Sequence, residues 1–202
     1  MNKGAHPRIG ILALQGDYAS HADALVECNA LPSLVKTPDE LRLDGPSSLD
    51  GLILPGGEST TMLKFLESRG LFDSLQQFCS SKPVFGTCAG AILLAREVTH
   101  PPQRSLGLLD AVVERNAYGR QIDSSILTAE TDLPGGPLEM VFIRAPRIVE
   151  TGPSVQILAR REGFPVLVRQ GHLMAATFHP ELSTDRRVHK SFVDTVLAAH
   201  SN

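Results

Sequence analysis

The chain has 202 residues, of which 42% are hydrophobic and 20% charged, so its length and composition fit one globular domain, which we expect to span residues 1–202. The formal net charge of −3 leaves no basic excess to neutralise a phosphate backbone, which argues against nucleic acid as a partner. No apolar run approaches the roughly 18 residues of a membrane span, and the first residues lack the apolar core of a signal peptide, so we expect a cytoplasmic protein with no membrane partner.

Short apolar runs alternate with helical patterns in the first half of the chain. Strand-like runs occupy 8–14, 31–37, 51–54 and 83–86, and helical spacing of apolar residues covers 18–29, 60–69, 71–79 and 88–96, with a helical turn at 38–43. Strands that alternate with helices imply crossover connections and a mainly parallel sheet covered on both faces. We therefore predict an α/β fold with three layers, α/β/α, around a mainly parallel central sheet.

From about residue 109 the helical crossovers disappear from the pattern. Short strand-like runs separated by Gly, Pro and Asp turns lie at 108–116, 124–130, 138–146, 155–161, 164–170 and 172–180. We expect these runs to form an antiparallel extension of the sheet. A last helix from about 184 to 200 closes the domain, with an apolar face made of Val188, Phe192, Val193, Val196 and Leu197.

A strand leads directly into a helix across a turn at residues 85–91, which contains the pattern Gly-x-Cys-x-Gly. Such a nucleophile elbow projects the central side chain, here Cys88, at the carboxyl edge of the sheet, where α/β folds bind ligands. The N–H groups of the following helix favour a thiolate and can receive an oxyanion. A simpler interpretation makes Cys88 an inert core thiol, with Gly86 and Gly90 serving only the turn.

A second candidate group follows the last strand-like run, in the segment Thr-Phe-His-Pro-Glu at 177–181. Pro180 disfavours the helical region for His179, so we expect an extended segment in which His179 and Glu181 project to the same side. The carboxylate then holds one imidazole nitrogen while the other faces Cys88, which makes a nucleophilic triad. Alternatively, His179 is a strand-end histidine and Glu181 a surface charge or a helix-start residue.

Two further segments carry groups that suit a substrate. The glycine-rich loop at 54–61 leads from a strand into a helix and can aim backbone N–H groups at an anion, although it lacks the spacing of nucleotide-binding loops. Arginines beside strand-like runs at 115–120 and 143–146 suit a substrate carboxylate and equally suit surface ion pairs.

The cysteine and histidine spacings predict no metal site and no disulfide framework. The three cysteines are odd in number and far apart, and the histidines other than His179 show no zinc-binding spacing. We interpret Cys28 and Cys79 as small buried hydrophobic residues.

Taken together, these motifs resemble the class I glutamine amidotransferases, and within them the family of glutaminase subunits of pyridoxal 5′-phosphate synthases. The resemblance covers nearly the whole chain. It is carried by GILALQG at 10–16, GLILPGGESTTM at 51–62, GTCAGAILLA at 86–95, GLLDAVVERNAYGRQ at 107–121, FIRAP at 142–146 and TFHPEL at 177–182. The fold implied by the resemblance is the flavodoxin-like class I amidotransferase fold.

The resemblance also implies the roles of individual residues. Cys88 is the nucleophile, His179 the general base and acid, and Glu181 the residue that orients the histidine. Backbone groups of Gly57 and Ala89 form the oxyanion hole. The glutamine pocket is lined, partly through backbone groups, by Gly57, Glu58, Ser59, Arg115, Ile143 and Arg144.

The implied reaction is hydrolysis of L-glutamine to L-glutamate and ammonia through a γ-glutamyl thioester, without a cofactor. The implied partner is a synthase subunit that receives the ammonia to build pyridoxal 5′-phosphate, within a large hetero-oligomer. We expect the free glutaminase to be slow, because unused ammonia is wasted and the loop at Gly56 and Gly57 can flip to form or dismantle the oxyanion hole.

Two other classes of protein share parts of this pattern. A different cysteine hydrolase, such as a peptidase or a γ-glutamyl hydrolase, would use the same triad without needing a partner chain. A binding module with the same fold would have no catalytic activity and would be expected to lose one of the three triad residues, all of which this chain retains.

Overall fold

The computed structural model describes residues 6–45, 48–115 and 124–199. Within these ranges the strands are β1 (Arg8–Leu12), β2 (Leu31–Val35), β3 (Gly51–Leu54), β4 (Val84–Thr87), β5 (Ala95–Thr99), β6 (Leu109–Glu114), β7 (Ser124–Ala129), β8 (Leu138–Ile143), β9 (Arg147–Thr151), β10 (Gln156–Arg161), β11 (Phe164–Gln170) and β12 (Leu173–Ala176). The α-helices are α1 (Tyr18–Glu27), α2 (Ser59–Ser68), α3 (Phe72–Ser81), α4 (Ala89–Leu94) and α5 (Arg187–Ala199), and short 3-10 helices cover Pro38–Leu41 and Pro180–Leu182. Motif residues 116–121 and the predicted helical residue 200 lie outside the described residues.

The central sheet has the strand order β10-β11-β12-β4-β3-β1-β2 in the described part of the chain. The five strands from β12 to β2 are parallel to one another, whereas β11 and β10 are antiparallel and extend the sheet beyond β12. The order of the parallel strands is that of the flavodoxin-like fold, with β12 as the fifth strand. The predicted three-layer α/β fold with a mainly parallel sheet and an antiparallel extension is confirmed.

Apolar side chains fill both faces of this sheet. On one face, α1 and α5 pack Leu25, Phe192 and Val196 against β1, β3 and β4, and the hairpin of β7 and β8 continues the same cluster. On the other face, α2, α3 and α4 cover the sheet, with Met62 and Phe78 among the fully buried residues. Since strands buried on both faces lack polar alternation, their sequences read as continuous apolar runs.

The second half of the chain differs from the sequence prediction in its pairing. Among the described residues, only β10 and β11 extend the main sheet, while β5, β6 and β9 form a separate three-stranded sheet and β7 and β8 form a two-stranded one. The prediction of a helix over 88–96 is wrong at its end, because α4 stops at Leu94 and the chain continues as β5, paired with β6 from Ala95 and Leu109 onward. Tertiary pairing overrides the local helical pattern here, and the sequence pattern does not predict β9.

The turn between β4 and α4 depends on glycines that allow close backbone contact. A Cβ on Gly90 would lie 2.0 Å from the carbonyl oxygen of Leu54, and one on Gly86 would lie 2.6 Å from the backbone of Gly90. Because the neighbouring atoms belong to the backbone of β3 and of α4, they cannot move aside without shifting one of these elements.

We expect Gly90→Ala to lower the free energy of unfolding by about 3 kcal/mol, the upper end of the usual cost of overpacking, since the backbone must shift. Gly70→Ala is the control, because a Cβ there meets nothing within 4 Å and the change adds only the strain of a φ of +65°. Chemical denaturation measures both variants. Equal losses of stability in the two would contradict the close contact at Gly90.

Candidate active site

Cys88 lies at the carboxyl end of β4 in a conformation that few residues adopt. Its φ of +46° and ψ of −101° turn the chain sharply into α4, and its N–H donates to the carbonyl of Ala176 at 2.8 Å. The residue is only 6% exposed. A strained backbone at a non-glycine residue is typical of functional turns, so the predicted nucleophile elbow is present in the structure.

His179 and Glu181 follow β12, the strand that pairs with β4. The N–H of His179 donates to the carbonyl of Val141 in β8 at 2.8 Å, and its φ of −109° keeps it outside the helical region, as predicted. The expected extended segment is wrong beyond this residue. Pro180 starts a 3-10 helix that includes Glu181, because its fixed φ suits a first helical turn.

The three residues nevertheless come together. Nδ1 of His179 lies 2.7 Å from Oε1 of Glu181, and Cys88 lies close enough to the imidazole to contribute to raising its pKa. Both Glu181 and His179 are largely buried, with the Glu181 carboxylate at 0% exposure. A surface position for Glu181 does not fit this burial, whereas its alternative position at the start of a helix is what the structure shows, in the short 3-10 helix from Pro180.

The electrostatics of the group favour a charged imidazole. Burial lowers the pKa of His179, but hydrogen bonds to Cys88 and Glu181 and the charges of both outweigh it and raise the pKa to about 10. An imidazolium beside the thiol stabilises a thiolate, which is the nucleophilic form of cysteine. The arrangement therefore has the parts that a nucleophilic attack and a proton transfer require.

The loop after β3 covers the imidazole and the thiol. A Cβ on Gly56 would lie 2.4 Å from Cε1 of His179 and 3.4 Å from Cβ of Cys88, so only glycine fits between them. Gly57 has a φ of +144°, which favours glycine as well. The side chain of Gln15 holds the next residue at both ends, since its Nε2 donates to the carbonyl of Glu58 at 2.9 Å and its Oε1 accepts from the N–H at 3.2 Å.

The Glu58 side chain caps helix α2. Its carboxylate accepts hydrogen bonds from the N–H groups of Thr60 and Thr61 at 3.0 and 2.7 Å, and from the hydroxyl of Thr61. Partial burial raises the pKa of Glu58, but these hydrogen bonds lower it to about 2. Arg115 lies beside this cap, with Nη2 at 2.7 Å from the Thr60 hydroxyl and 3.5 Å from the Glu58 carboxylate.

The other predicted site residues lie on three elements near the triad, the start of α4, the end of β8 and the start of α2. Ala89 begins α4 directly after Cys88 and is fully buried. Ile143 ends β8, two residues beyond the Val141 carbonyl that binds His179, and Arg144 follows it with a φ of +46° and an exposed side chain. The Ser59 hydroxyl donates to Gln103 at 2.9 Å, which directs this side chain to a neighbouring loop.

Sequence reasoning misses several polar residues around the triad. Gln15 lies within one of the motifs that carry the resemblance, but the motif predicts no role for it. The spacing of His21 and His189 argues only against a metal site. Both histidines are fully buried. The available signal is position: His21 lies four residues before Leu25 on the apolar face of α1, where a buried polar side chain needs a partner.

Residues 6–45, 48–115 and 124–199 contain no group of three or more His, Cys, Asp or Glu side chains that could hold a metal ion. In the same ranges, none of the helices combines the length and apolar character needed to span a membrane.

Comparison with known proteins adds sequence similarity to this geometry. A family model described as the SNO glutamine amidotransferase family matches residues 11–198. The protein named pyridoxal 5′-phosphate synthase subunit PdxT from Koribacter versatilis is 54% identical over 194 residues, which cover 96% of this chain and 98% of that protein. The PdxT protein of Thermotoga maritima is 47% identical over 191 residues, covering 94% of this chain and 99% of that protein.

Solved structures show the same similarity. A structure described as a glutamine amidotransferase matches with a TM-score of 0.84 and 42% sequence identity, covering 93% of this chain and 98% of that chain. A structure described as a putative GMP synthase component from Thermoplasma acidophilum has a TM-score of 0.72 at 16% identity, with 98% of each chain covered. The second similarity concerns the fold alone.

Proposed function

The chain belongs to the SNO glutamine amidotransferase family, and from this membership we propose that it hydrolyses L-glutamine to L-glutamate and ammonia through Cys88, His179 and Glu181. The observation that carries the proposal is the Glu181 carboxylate at 2.7 Å from the His179 ring, with Cys88 and His179 side by side against Gly56. Cysteine, base and orienting acid in this order are the parts of a nucleophilic triad.

In the first half of the reaction, the Cys88 thiolate attacks the side-chain amide carbon of glutamine. The carbonyl electrons move to the oxygen and form a tetrahedral oxyanion. When these electrons return, the carbon–nitrogen bond breaks, and the imidazolium of His179 donates its proton to the departing ammonia. The pKa of His179, raised to about 10, supports this step because the ring carries the proton before ammonia leaves.

In the second half, neutral His179 accepts a proton from water as the water oxygen attacks the γ-glutamyl thioester. The carbon–sulfur bond breaks and glutamate leaves. Cys88 returns as a thiolate beside the protonated imidazole, so the enzyme is unchanged and no cofactor is used. Glu181 keeps the same ring nitrogen protonated throughout and leaves the other facing the sulfur.

The oxyanion is assigned to the backbone N–H groups of Gly57 and Ala89. Ala89 follows the nucleophile at the start of α4, which is the usual place for one such donor. The loop at Gly56 lies against Cys88 and His179, which supports a second donor from Gly57. The hydrogen bonds of Gln15 to both ends of Glu58 restrict the loop and therefore the position of this donor.

Recognition of glutamine is assigned to Gly57, Glu58, Ser59, Arg115, Ile143 and Arg144. The Glu58 carboxylate already caps α2 and the Ser59 hydroxyl already binds Gln103, so these two residues would act through their backbone groups. Arg115 supplies a guanidinium next to the loop, suited to the substrate carboxylate.

The ammonia would be passed to a synthase subunit that builds pyridoxal 5′-phosphate, within a large hetero-oligomer. The names of the PdxT relatives, which are matched over nearly their full length, support this partner. We also propose a cytoplasmic location, which the three free thiols support because disulfides are rare there.

We expect the synthase subunit to raise glutamine turnover by more than about tenfold, equivalent to about 1.4 kcal/mol of transition-state stabilisation. The assay measures ammonia and glutamate from L-glutamine, with and without the partner, and an electrophilic glutamine analogue should label Cys88 in the complex. Equal rates with and without the partner would contradict the coupling. Turnover of peptides by the isolated chain, with no glutamine hydrolysis, would instead identify a different hydrolase.

A further inference from the structure

Two fully buried histidines lie behind the carboxylate of the triad. His21 belongs to α1 and His189 to α5, and both are 0% exposed. Nδ1 of His21 lies 3.0 Å from Nε2 of His189, and the ring centroids are 5.2 Å apart. A direct hydrogen bond between two buried imidazoles links helices that pack side by side on one face of the sheet.

The His21 ring also reaches the triad. Its Nε2 lies 3.4 Å from Oε2 of Glu181 and 3.2 Å from the hydroxyl of Thr87, the residue before the nucleophile. Glu181 therefore has His179 at one carboxylate oxygen and His21 at the other. Among the described residues Oε2 has no partner at hydrogen-bonding geometry, although the carboxylate is fully buried and needs a donor, and Nε2 of His21 at 3.4 Å is placed to supply one.

The protonation of the two rings follows from their surroundings. Burial, then the charges of His189 and His179, lower the pKa of His21 well below its usual value. Burial and then the charge of Arg186 lower the pKa of His189 to about 3, which the charge of Glu27 opposes only in part. Both rings are consequently neutral at neutral pH, and each carries one N–H.

The contacts also indicate which nitrogen carries each proton. A bare Nε2 on His21 would direct a lone pair at the Glu181 carboxylate, so we assign the proton to this nitrogen, which lies 3.2 Å from the Thr87 hydroxyl and 3.4 Å from Oε2. Nδ1 of His21 then accepts from Nε2–H of His189. Nδ1 of His189 is left as a bare acceptor, in agreement with its lack of any hydrogen-bond partner among the described residues.

We propose that His21 is a positioning residue of the glutaminase reaction: as a neutral donor oriented by His189, it holds the outer oxygen of Glu181 and so keeps the inner oxygen on His179. The inference rests on the proposed function of the triad. Nε2 of His21 lies 3.4 Å from the carboxylate, and the row of contacts from His189 through His21 and Glu181 ends at the imidazole that serves Cys88.

A neutral donor has a specific advantage over a cation at this position. A charged partner would neutralise Glu181 and weaken its hold on the His179 imidazolium. A neutral N–H satisfies the outer oxygen while the full negative charge remains available to the inner one. The groups that face this carboxylate and its ring are Cys88 from the elbow, His179 beside it, and His21 with His189 from the two helices.

The test compares His21→Leu, which removes the donor, with His21→Gln, which supplies an amide N–H toward Glu181 and a carbonyl toward His189. Leu25→Ala is the matched control, because Leu25 is buried on the same helix one turn away and belongs to the apolar cluster on that face of the sheet. Two quantities are measured for each variant: glutamine kinetics in the complex, and the rate at which iodoacetate alkylates Cys88 in the free chain as a function of pH.

We expect His21→Leu to lower kcat by about 10- to 100-fold, the effect of losing a hydrogen-bond partner behind a functional ligand, and to change KM by less than about threefold. In the plot of alkylation rate against pH, the midpoint of the alkaline limb should move down by about one pH unit. The reason is that a weakened contact with Glu181 stabilises the His179 imidazolium less. His21→Gln should restore most of kcat and most of the pH profile of alkylation. Leu25→Ala should lower the melting temperature without moving that pH profile.

A pH profile of His21→Leu identical to that of the unmodified chain would overturn the proposal, even if the variant is less stable. So would a folded His21→Gln variant that is as impaired as His21→Leu. Failure of the proposed function is distinguishable, because in that case the unmodified complex does not hydrolyse glutamine, whereas the alkylation profile still reports on the contact between His21 and the triad.

Discussion

Replacing Cys88 with alanine is expected to lower glutamine hydrolysis by the complex by about four to six orders of magnitude, as removal of a triad nucleophile does in other enzymes. Without the sulfur no thioester forms, and His179 and the oxyanion donors have no covalent intermediate to act upon. The remaining rate reflects water attack on bound glutamine. The assay is release of glutamate from L-glutamine by the variant combined with its synthase partner.

Cys28→Ala is the matched control for this substitution. The Cys28 thiol is half-buried at the end of α1 near Arg186, and burial raises its pKa, so it has neither the imidazole nor the ionised form that the reaction requires. Its removal should leave the rate unchanged within about twofold, the usual behaviour of a site outside the reaction. Turnover by Cys88→Ala comparable to that of the Cys28→Ala control would exclude Cys88 as the nucleophile.

The sequence is sufficient to predict the central sheet and the elbow that carries the nucleophile. The runs that form β1, β3 and β4 are mainly apolar because they are buried on both faces, so short-range pattern and tertiary environment agree. The elbow at Cys88 can be predicted equally well, because glycine is required on both sides of it. A Cβ on Gly86 or on Gly90 would lie only 2.6 or 2.0 Å from backbone atoms.

The strand pairing of the second half depends on long-range contacts that local patterns do not specify. Ala95 and Arg96 continue a helical pattern, yet they begin a strand that runs to Thr99 because β6 offers a partner. The pattern places β12 with the antiparallel strands, but it inserts beside β4 and becomes the fifth parallel strand. This insertion is the step that brings His179 to the nucleophile, across 91 residues of sequence.

The support behind the triad is also beyond sequence reasoning. His21 and His189 are 168 residues apart, and neither belongs to a spacing that predicts a contact. Only the packing of α1 against α5 brings them together, next to a carboxylate whose position is itself a product of the fold. Residues that act directly on a substrate are easier to recognise in a sequence than the residues that position them. Catalytic residues occur in short sequence motifs, whereas positioning residues come from distant parts of the chain.

Glu181→Gln removes the charge of the carboxylate and keeps its shape. Glu139→Gln is the matched control, since the Glu139 carboxylate accepts a hydrogen bond from Ser183, next to the same 3-10 helix. An amide presents one oxygen and one N–H₂ group, whereas the two facing histidines both donate. If the amide oxygen faces His179, the amide NH₂ group faces the N–H of His21, and two donors meet. If the amide oxygen faces His21, the NH₂ group faces Nδ1 of His179, and the proton of the neutral ring moves to Nε2, which then cannot accept the thiol proton.

We therefore expect Glu181→Gln to lower kcat by about 10³- to 10⁴-fold, the effect of the corresponding change in a serine triad. The pKa of His179, about 10 with the charge of Glu181 present, should fall toward its ordinary value of 6.5. Since the imidazolium is lost as pH rises through this lower pKa, the alkaline limb of the remaining activity moves toward neutral pH. A pH–rate profile that is unchanged, together with a rate close to that of Glu139→Gln, would show that the carboxylate charge does not support the imidazolium.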